Sequence, residues 1–348
     1  MASSIHAEVV TLPMLTRRVG RRELLGQIFS GVALGLFWPL IGCARDPKRH
    51  ANQASRYKEL ESLSRDQAMN YLLGTYREQI DRVVESVRGA VPAQFHDYVQ
   101  DARVNYLVDE TPFKFLKDPA SKTIHVCLGG INALDISCVA LAASLFVLKD
   151  PGWWLDYMLF HRLLRRQPGA VWRDPLAAAG IAEDNVSREA SQEMALFAYQ
   201  SLNDMLTFVV AHEFGHVALK HSGEWEGSES REEFVARIRQ YELDADRFAF
   251  DIVKRLDSSP LAVLFTLLTH QVVFEEPNSE AEARHPPDWR RMTRAIEYFS
   301  ELRDQRHDED LRSATSLVNH LSSVESYRAI DELGARISEE SLRRWPKH

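Results

Sequence analysis

From about residue 56 to 108, apolar residues recur at three- and four-residue steps: Leu60, Leu63, Met69, Leu72, Leu73, Ile80, Val83, Val84 and Val87. That period predicts helix. Pro92, Pro112 and Pro119 punctuate the next stretch of chain. Thr123-Ile124-His125-Val126-Cys127-Leu128 is β-prone and runs into Gly129-Gly130, which predicts one short strand. Ile131 to Leu148 is an apolar run with Asp135 as its only charge. It approaches the length of a membrane span, but its Asn, Ser and Cys content favours a buried core helix. Pro151-Gly152 breaks it, and Trp153 to Arg166 predicts another helix. Trp153, Trp154 and Phe160 are read there as core, with a groove lining as the alternative. Helical texture continues near 187–221, 231–257, 260–274, 287–304, 309–323 and 326–343, with Ser222-Gly223 and Ser258-Ser259-Pro260 as breaks. No repeat is visible. The fold class expected is mainly α (α+β), with a small β element.

Composition narrows the class. The chain is 45% hydrophobic and 26% charged, ordinary for a globular protein. A net charge of −8 gives no support to nucleic-acid binding. The three cysteines cannot form a disulfide framework, and no Cys-x-x-Cys pair is present for a metal. Cys127 and Cys138 lie among apolar neighbours and are read as buried free thiols, with a disulfide as the alternative.

The N-terminus has the layout of an export signal. Arg17, Arg18, Arg21 and Arg22 precede an uncharged stretch from Leu24 to Ala44. Arg21-Arg22-Glu23-Leu24-Leu25 resembles a twin-arginine motif. Leu40-Ile41-Gly42-Cys43 resembles a bacterial lipobox, whose cysteine carries lipid. An uncleaved anchor and a soluble helix remain open alternatives. The lipidated signal and the uncleaved anchor both imply membrane association through an N-terminal lipid or anchor, on the periplasmic side of a bacterial envelope. The expected division is 1–43 signal peptide, 44–120 helical N-terminal region, 121–304 catalytic domain and 305–348 C-terminal helices, with 46–55 as a polar linker.

The segment Ala211-His212-Glu213-Phe214-Gly215-His216 contains His-Glu-x-x-His. On a helix, His212 and His216 stand one turn apart on one face, so both imidazoles can reach a single Zn2+. Glu213 stands beside them as a general base. Two histidines alone make no catalytic site. A third ligand is supplied by Glu242 in Glu242-Leu243-Asp244-Ala245-Asp246, leaving a fourth zinc position for water. Asp246, one turn on, can accept a hydrogen bond from a ligand histidine, His212 in particular. Asp244 reads as a solvated acidic face.

These blocks resemble the zinc metallopeptidase family that includes the CAAX prenyl protease, the heat-shock protease HtpX and periplasmic lipoprotein proteases. His212-Glu213-Phe214-Gly215-His216 with the later His221 is similar to its first block. Glu242-Leu243-Asp244-Ala245-Asp246 is similar to its second. His285-Pro286-Pro287 with Arg291-Met292 is similar to its third. Ile131-Asn132-Ala133-Leu134 is a partial echo of an upstream family segment that ends in Gly-Gly and forms a substrate-binding edge strand. The resemblance spans about 205–295 and implies a zincin-like core. It also implies an oxyanion or near-metal role for His285 and a supporting one for Arg291. For His285 the alternative is a simple helix start. His221 is not a metzincin ligand, because that motif places its histidine one residue further on, and a structural role is expected.

The chemistry implied is hydrolysis of polypeptides by metal-activated water, with Glu213 moving the proton. Two other readings stay open. One is a zinc-stabilised chaperone-like or interaction module with weak turnover, against which the intact Glu213 argues. The other is a cytosolic peptidase of the phage-exclusion or toxin-linked kind.

Overall fold

A computed structural model describes residues 63–107, 116–118, 122–150, 153–154, 157–158, 161, 174–222, 229–273 and 288–301. The segment 1–43, the linker 46–55, Phe160, His285 and residues 305–348 lie outside the described residues. Helix α1 spans Arg65–Ala90 and starts on a capping box, Ser64 with Gln67. Its buried stripe is Leu72, Tyr76, Ile80, Val83, Val84 and Val87. It stops at Val91, because Pro92 disfavours helical backbone in the residue before it. A 3-10 turn at Ala93–Phe95 and the short α2, His96–Val99, lead into strand β1, Arg103–Leu107.

The helical period read over 56–108 does not extend to β1. Val104 and Tyr106 pack on the core while Arg103 and Asn105 are exposed, a period of two too short to stand out in the sequence. β2, Leu116–Asp118, and β3, Thr123–Cys127, complete a three-stranded sheet in the order β1-β3-β2. β1 runs parallel to β3, with Val104 opposite Ile124 and Tyr106 opposite Val126; β2 is antiparallel. The sheet therefore joins residues on both sides of position 120.

Helix α3, Leu128–Ala142, follows β3 without a loop and continues as a π turn over Ala143–Val147. Leu128–Val147 is long and apolar enough to cross a membrane, yet 78% of that window is buried inside the molecule. Tyr76 donates to Asp135 at 2.6 Å, which satisfies the one charge in the run. Positions 153, 154, 157, 158 and 161 are helical. Trp154 is fully buried and donates to the Ser137 carbonyl at 3.1 Å, so it is core and lines no groove. Cys127 and Cys138 are buried free thiols.

After the short α4, Pro175–Ala178, comes the long α5, Arg188–Ala218, capped by Ser187. α6 is Arg231–Arg255, opened by the Ser230/Glu233 capping box. α7 is Pro260–Val273 and α8 is Asp288–Glu301. α5 is the axis of the molecule: α1, α3, α6 and α7 all pack on it. The described protein is mainly helical with one small sheet.

Candidate metal centre

The site is built where α5 crosses α6. Gly215, inside the His-Glu-x-x-His segment, sets the closeness of that crossing. A Cβ there would meet Ala245 Cα at 3.1 Å, the Ala245 carbonyl oxygen at 3.2 Å and Phe248 Cβ at 3.2 Å. Only glycine lets α6 approach this near, and the approach brings Glu242 to the two histidines.

His212, His216 and Glu242 are all buried, and their ligand atoms lie within 4.8 Å of one another. His212 Nε2 is 3.1 Å from His216 Nε2 and 3.3 Å from Glu242 Oε2, and His216 Nε2 is 3.4 Å from Glu242 Oε1. Ligands about 2.0 Å from a tetrahedral zinc stand about 3.3 Å apart. The triangle therefore has the edge lengths of one zinc face.

Protonation is set by the next layer of contacts. Asp246 is 1% exposed. Its Oδ1 accepts from His212 Nδ1 at 2.9 Å and from Arg291 Nη2 at 2.7 Å, and its Oδ2 accepts from Arg291 Nε at 2.8 Å. Burial alone would raise the Asp246 pKa, but the Arg291 charge and these hydrogen bonds outweigh it and hold it down to about 2. A carboxylate so held can only accept, so His212 Nδ1 carries the hydrogen and Nε2 is the ring nitrogen turned toward His216 and Glu242. Burial would likewise lower His212, but the hydrogen bonds to Asp246 and Glu242 prevail and raise it to about 10. The pocket thus favours positive charge at Nε2.

His216 is held differently. Lys220, at φ 57°, ends α5 in a left-handed conformation. The His221 N–H then reaches the His216 carbonyl at 3.0 Å and the Lys220 N–H reaches the Val217 carbonyl at 3.2 Å, a Schellman closure. That closure, not Ser222-Gly223, terminates the helix. It delivers His221 Nδ1 to 2.9 Å from His216 Nδ1. The buried His221 ring also stacks on Tyr241, centroids 4.2 Å apart and planes 9° from parallel. His221 therefore contacts a ligand histidine and does not join the triangle.

The structure brings together six of the seven residues singled out from the sequence. His212, His216, Glu242, Asp246 and Arg291 form one connected cluster, and Glu213 is buried next to His212 on α5. His285 lies outside the described residues. Sequence reasoning missed the parts of Gly215 and Tyr241. A glycine between two candidate ligands on a helix was a usable signal; for Tyr241 there was none, since its contact with His221 exists only after α5 and α6 pack.

Residues 157–310 match the family model Peptidase U49, a span that includes every described residue of the cluster. No curated protein and no solved structure matches the chain. The match overturns the resemblance to the CAAX-prenyl-protease and HtpX type, because U49 is a different peptidase family. Two histidines one helical turn apart, a carboxylate from a second helix and an acid behind one histidine suit a metal site on many folds, so the pattern does not identify a lineage. The fold shows the same discrepancy: Gly129-Gly130 and Ile131-Asn132-Ala133-Leu134 lie inside α3 and form no edge strand. Over 157–310 the chain is similar to U49 peptidases, and that similarity supports a peptidase.

Proposed function

We propose that this chain is a zinc-dependent endopeptidase, with a zincin-like core centred on α5 and α6. The observation that carries the proposal is the convergence of three buried potential ligand atoms 3.1, 3.3 and 3.4 Å apart. Such a cluster needs positive charge among its atoms, from a proton on His212 Nε2 or from a metal cation in its place. Two imidazoles and a carboxylate suit zinc.

Bound zinc would supply Lewis acidity, to an attacking water and to the scissile carbonyl. The chain's own residues do the rest. His212, His216 and Glu242 hold the ion, and Asp246 with Arg291 fixes the tautomer of His212. Glu213 takes the proton from water and passes it to the leaving amine. β2 lies at an edge of the sheet among the described residues and packs against α5. A strand at a sheet edge can template an extended peptide, and we assign the substrate backbone to it.

Glu213→Gln should keep zinc and lower turnover by about 10²- to 10⁴-fold. A variant that cleaves at the wild-type rate would remove Glu213 from the mechanism, whereas a wild-type chain that binds zinc and cleaves no peptide would favour the interaction-module reading. With the envelope-protease resemblance overturned, the periplasmic, lipid-anchored location rests on residues 17–43 alone. Palmitate labelling that is lost in Cys43→Ser would support it. Unlabelled protein in the cytoplasmic fraction would favour the cytosolic alternative.

A further inference from the structure

His221 is joined to more than His216. Tyr241, the residue before the ligand Glu242, lies flat against the His221 ring at 4.2 Å. The Arg237 guanidinium, one turn earlier on α6, sits 5.5 Å from the Tyr241 ring centroid and 5.4 Å from that of Phe234. Arg237 also grips both ends of the connection between α5 and α6. It donates through Nη1 to the Ser222 carbonyl at 3.1 Å, and through Nε to Glu229 at 3.1 Å, with Nη2 on the other oxygen of the same carboxylate. A bidentate arginine pair is geometrically demanding, so it fixes where the guanidinium lies.

The two ligand histidines are therefore held by unlike means. His212 is held through Nδ1 by Asp246, which is itself paired with Arg291. His216 is held through Nδ1 by the His221 imidazole, 2.9 Å away. Stacking on Tyr241 restrains the orientation of the His221 ring. We propose that Tyr241 and Arg237 are positioning residues for His216. They hold His221 Nδ1 against His216 Nδ1 and tie that contact to the chain between Ser222 and Glu229. This inference rests on the metal reading of the site.

The test is zinc affinity of the full chain, measured by competition with a chromophoric chelator, with cobalt(II) absorption as a second readout of the ligand field. Tyr241→Leu removes the flat aromatic face and should weaken zinc by about 10-fold, as loss of an outer partner of a metal ligand does. It should also change the cobalt spectrum. Tyr241→Phe keeps the face and should restore both. In a His221→Ala background, Tyr241→Leu should cost nothing further, because its effect passes through His221. Arg237→Gln is a milder variant, suited to the case in which Tyr241→Leu does not fold, and should weaken zinc in the same direction. Wild-type affinity and spectrum in Tyr241→Leu, or in Arg237→Gln if that variant alone folds, would overturn the inference and leave the site intact. Additive losses in the double variant would overturn it also. A folded wild-type chain that takes up no zinc would instead remove the metal reading itself.

Discussion

Asp246, buried, and Asp204, half-buried, are carboxylates on packed helices whose ionisation is resolved in opposite ways. Arg291 and His212 keep Asp246 ionised. Asp204, on α5, accepts hydrogen bonds from the Ser259 backbone and the Ser258 side chain, but burial outweighs them and raises its pKa from 3.8 to about 6. The native state thus binds this proton more tightly than the unfolded chain does. Its contribution to stability is fully present below pH 4 and is lost as pH rises from about 4 to 6. Asp204→Asn keeps the acceptor for Ser258 and Ser259 and abolishes the ionisation. Compared with wild type, it should gain on the order of 2 kcal/mol above pH 7 and little at pH 4.5. Urea midpoints at the two pH values provide the check; a difference that does not change with pH would show that Asp204 ionises as freely as in water.

At the scale of elements, the α5–α6 crossing governs the centre, since two ligands stand on one helix and the third on the other. Gly215→Ala improves local helix propensity by about 1 kcal/mol. Its Cβ nonetheless meets Ala245 at 3.1 Å, and a helix backbone cannot yield as a side chain does. Net destabilisation of about 1–3 kcal/mol is expected, together with weaker zinc, because moving α6 outward widens the triangle. Thermal melts and chelator competition on Gly215→Ala would decide. A variant as stable and as tight as wild type would mean that the crossing has slack.

For the whole molecule, the same centre links α5 to α6 directly and to α8 through Arg291, so its occupancy should register in global stability. Zinc free at 100 times its dissociation constant adds about 2.7 kcal/mol to a fold that alone binds it. Chelation should therefore lower the melting temperature by several degrees. Zinc should restore it and magnesium should not, as the nitrogen ligands imply. Glu242→Ala should show neither effect. A wild-type melting temperature indifferent to chelator would separate the fold from the metal.

The sequence by itself determined whatever repeats along one helix. His212 with His216 and Glu242 with Asp246 are pairs one turn apart, and a 3.6-residue period places each pair on one face wherever the helix lies. The helices near 187–221 and 231–257 were legible from their long helical texture and from the break at Ser258-Ser259-Pro260. β3 was legible because its β-branched residues stop abruptly at two glycines. Arg291 was reached only through a family resemblance that the U49 match has overturned, although its contact with Asp246 is in the structure. Tertiary structure decided what depends on two elements meeting. β1 is a strand because β3 lies beside it, and five residues carry too little pattern to show it alone. His221 supports His216 because Lys220 turns the chain back at the end of α5. Tyr241 reaches His221, and Glu242 reaches both ligand histidines, because Gly215 offers no side chain where α6 crosses. Spacing along a helix is a local property of the backbone; the distance between helices is set by packing, and it is packing that closes this site.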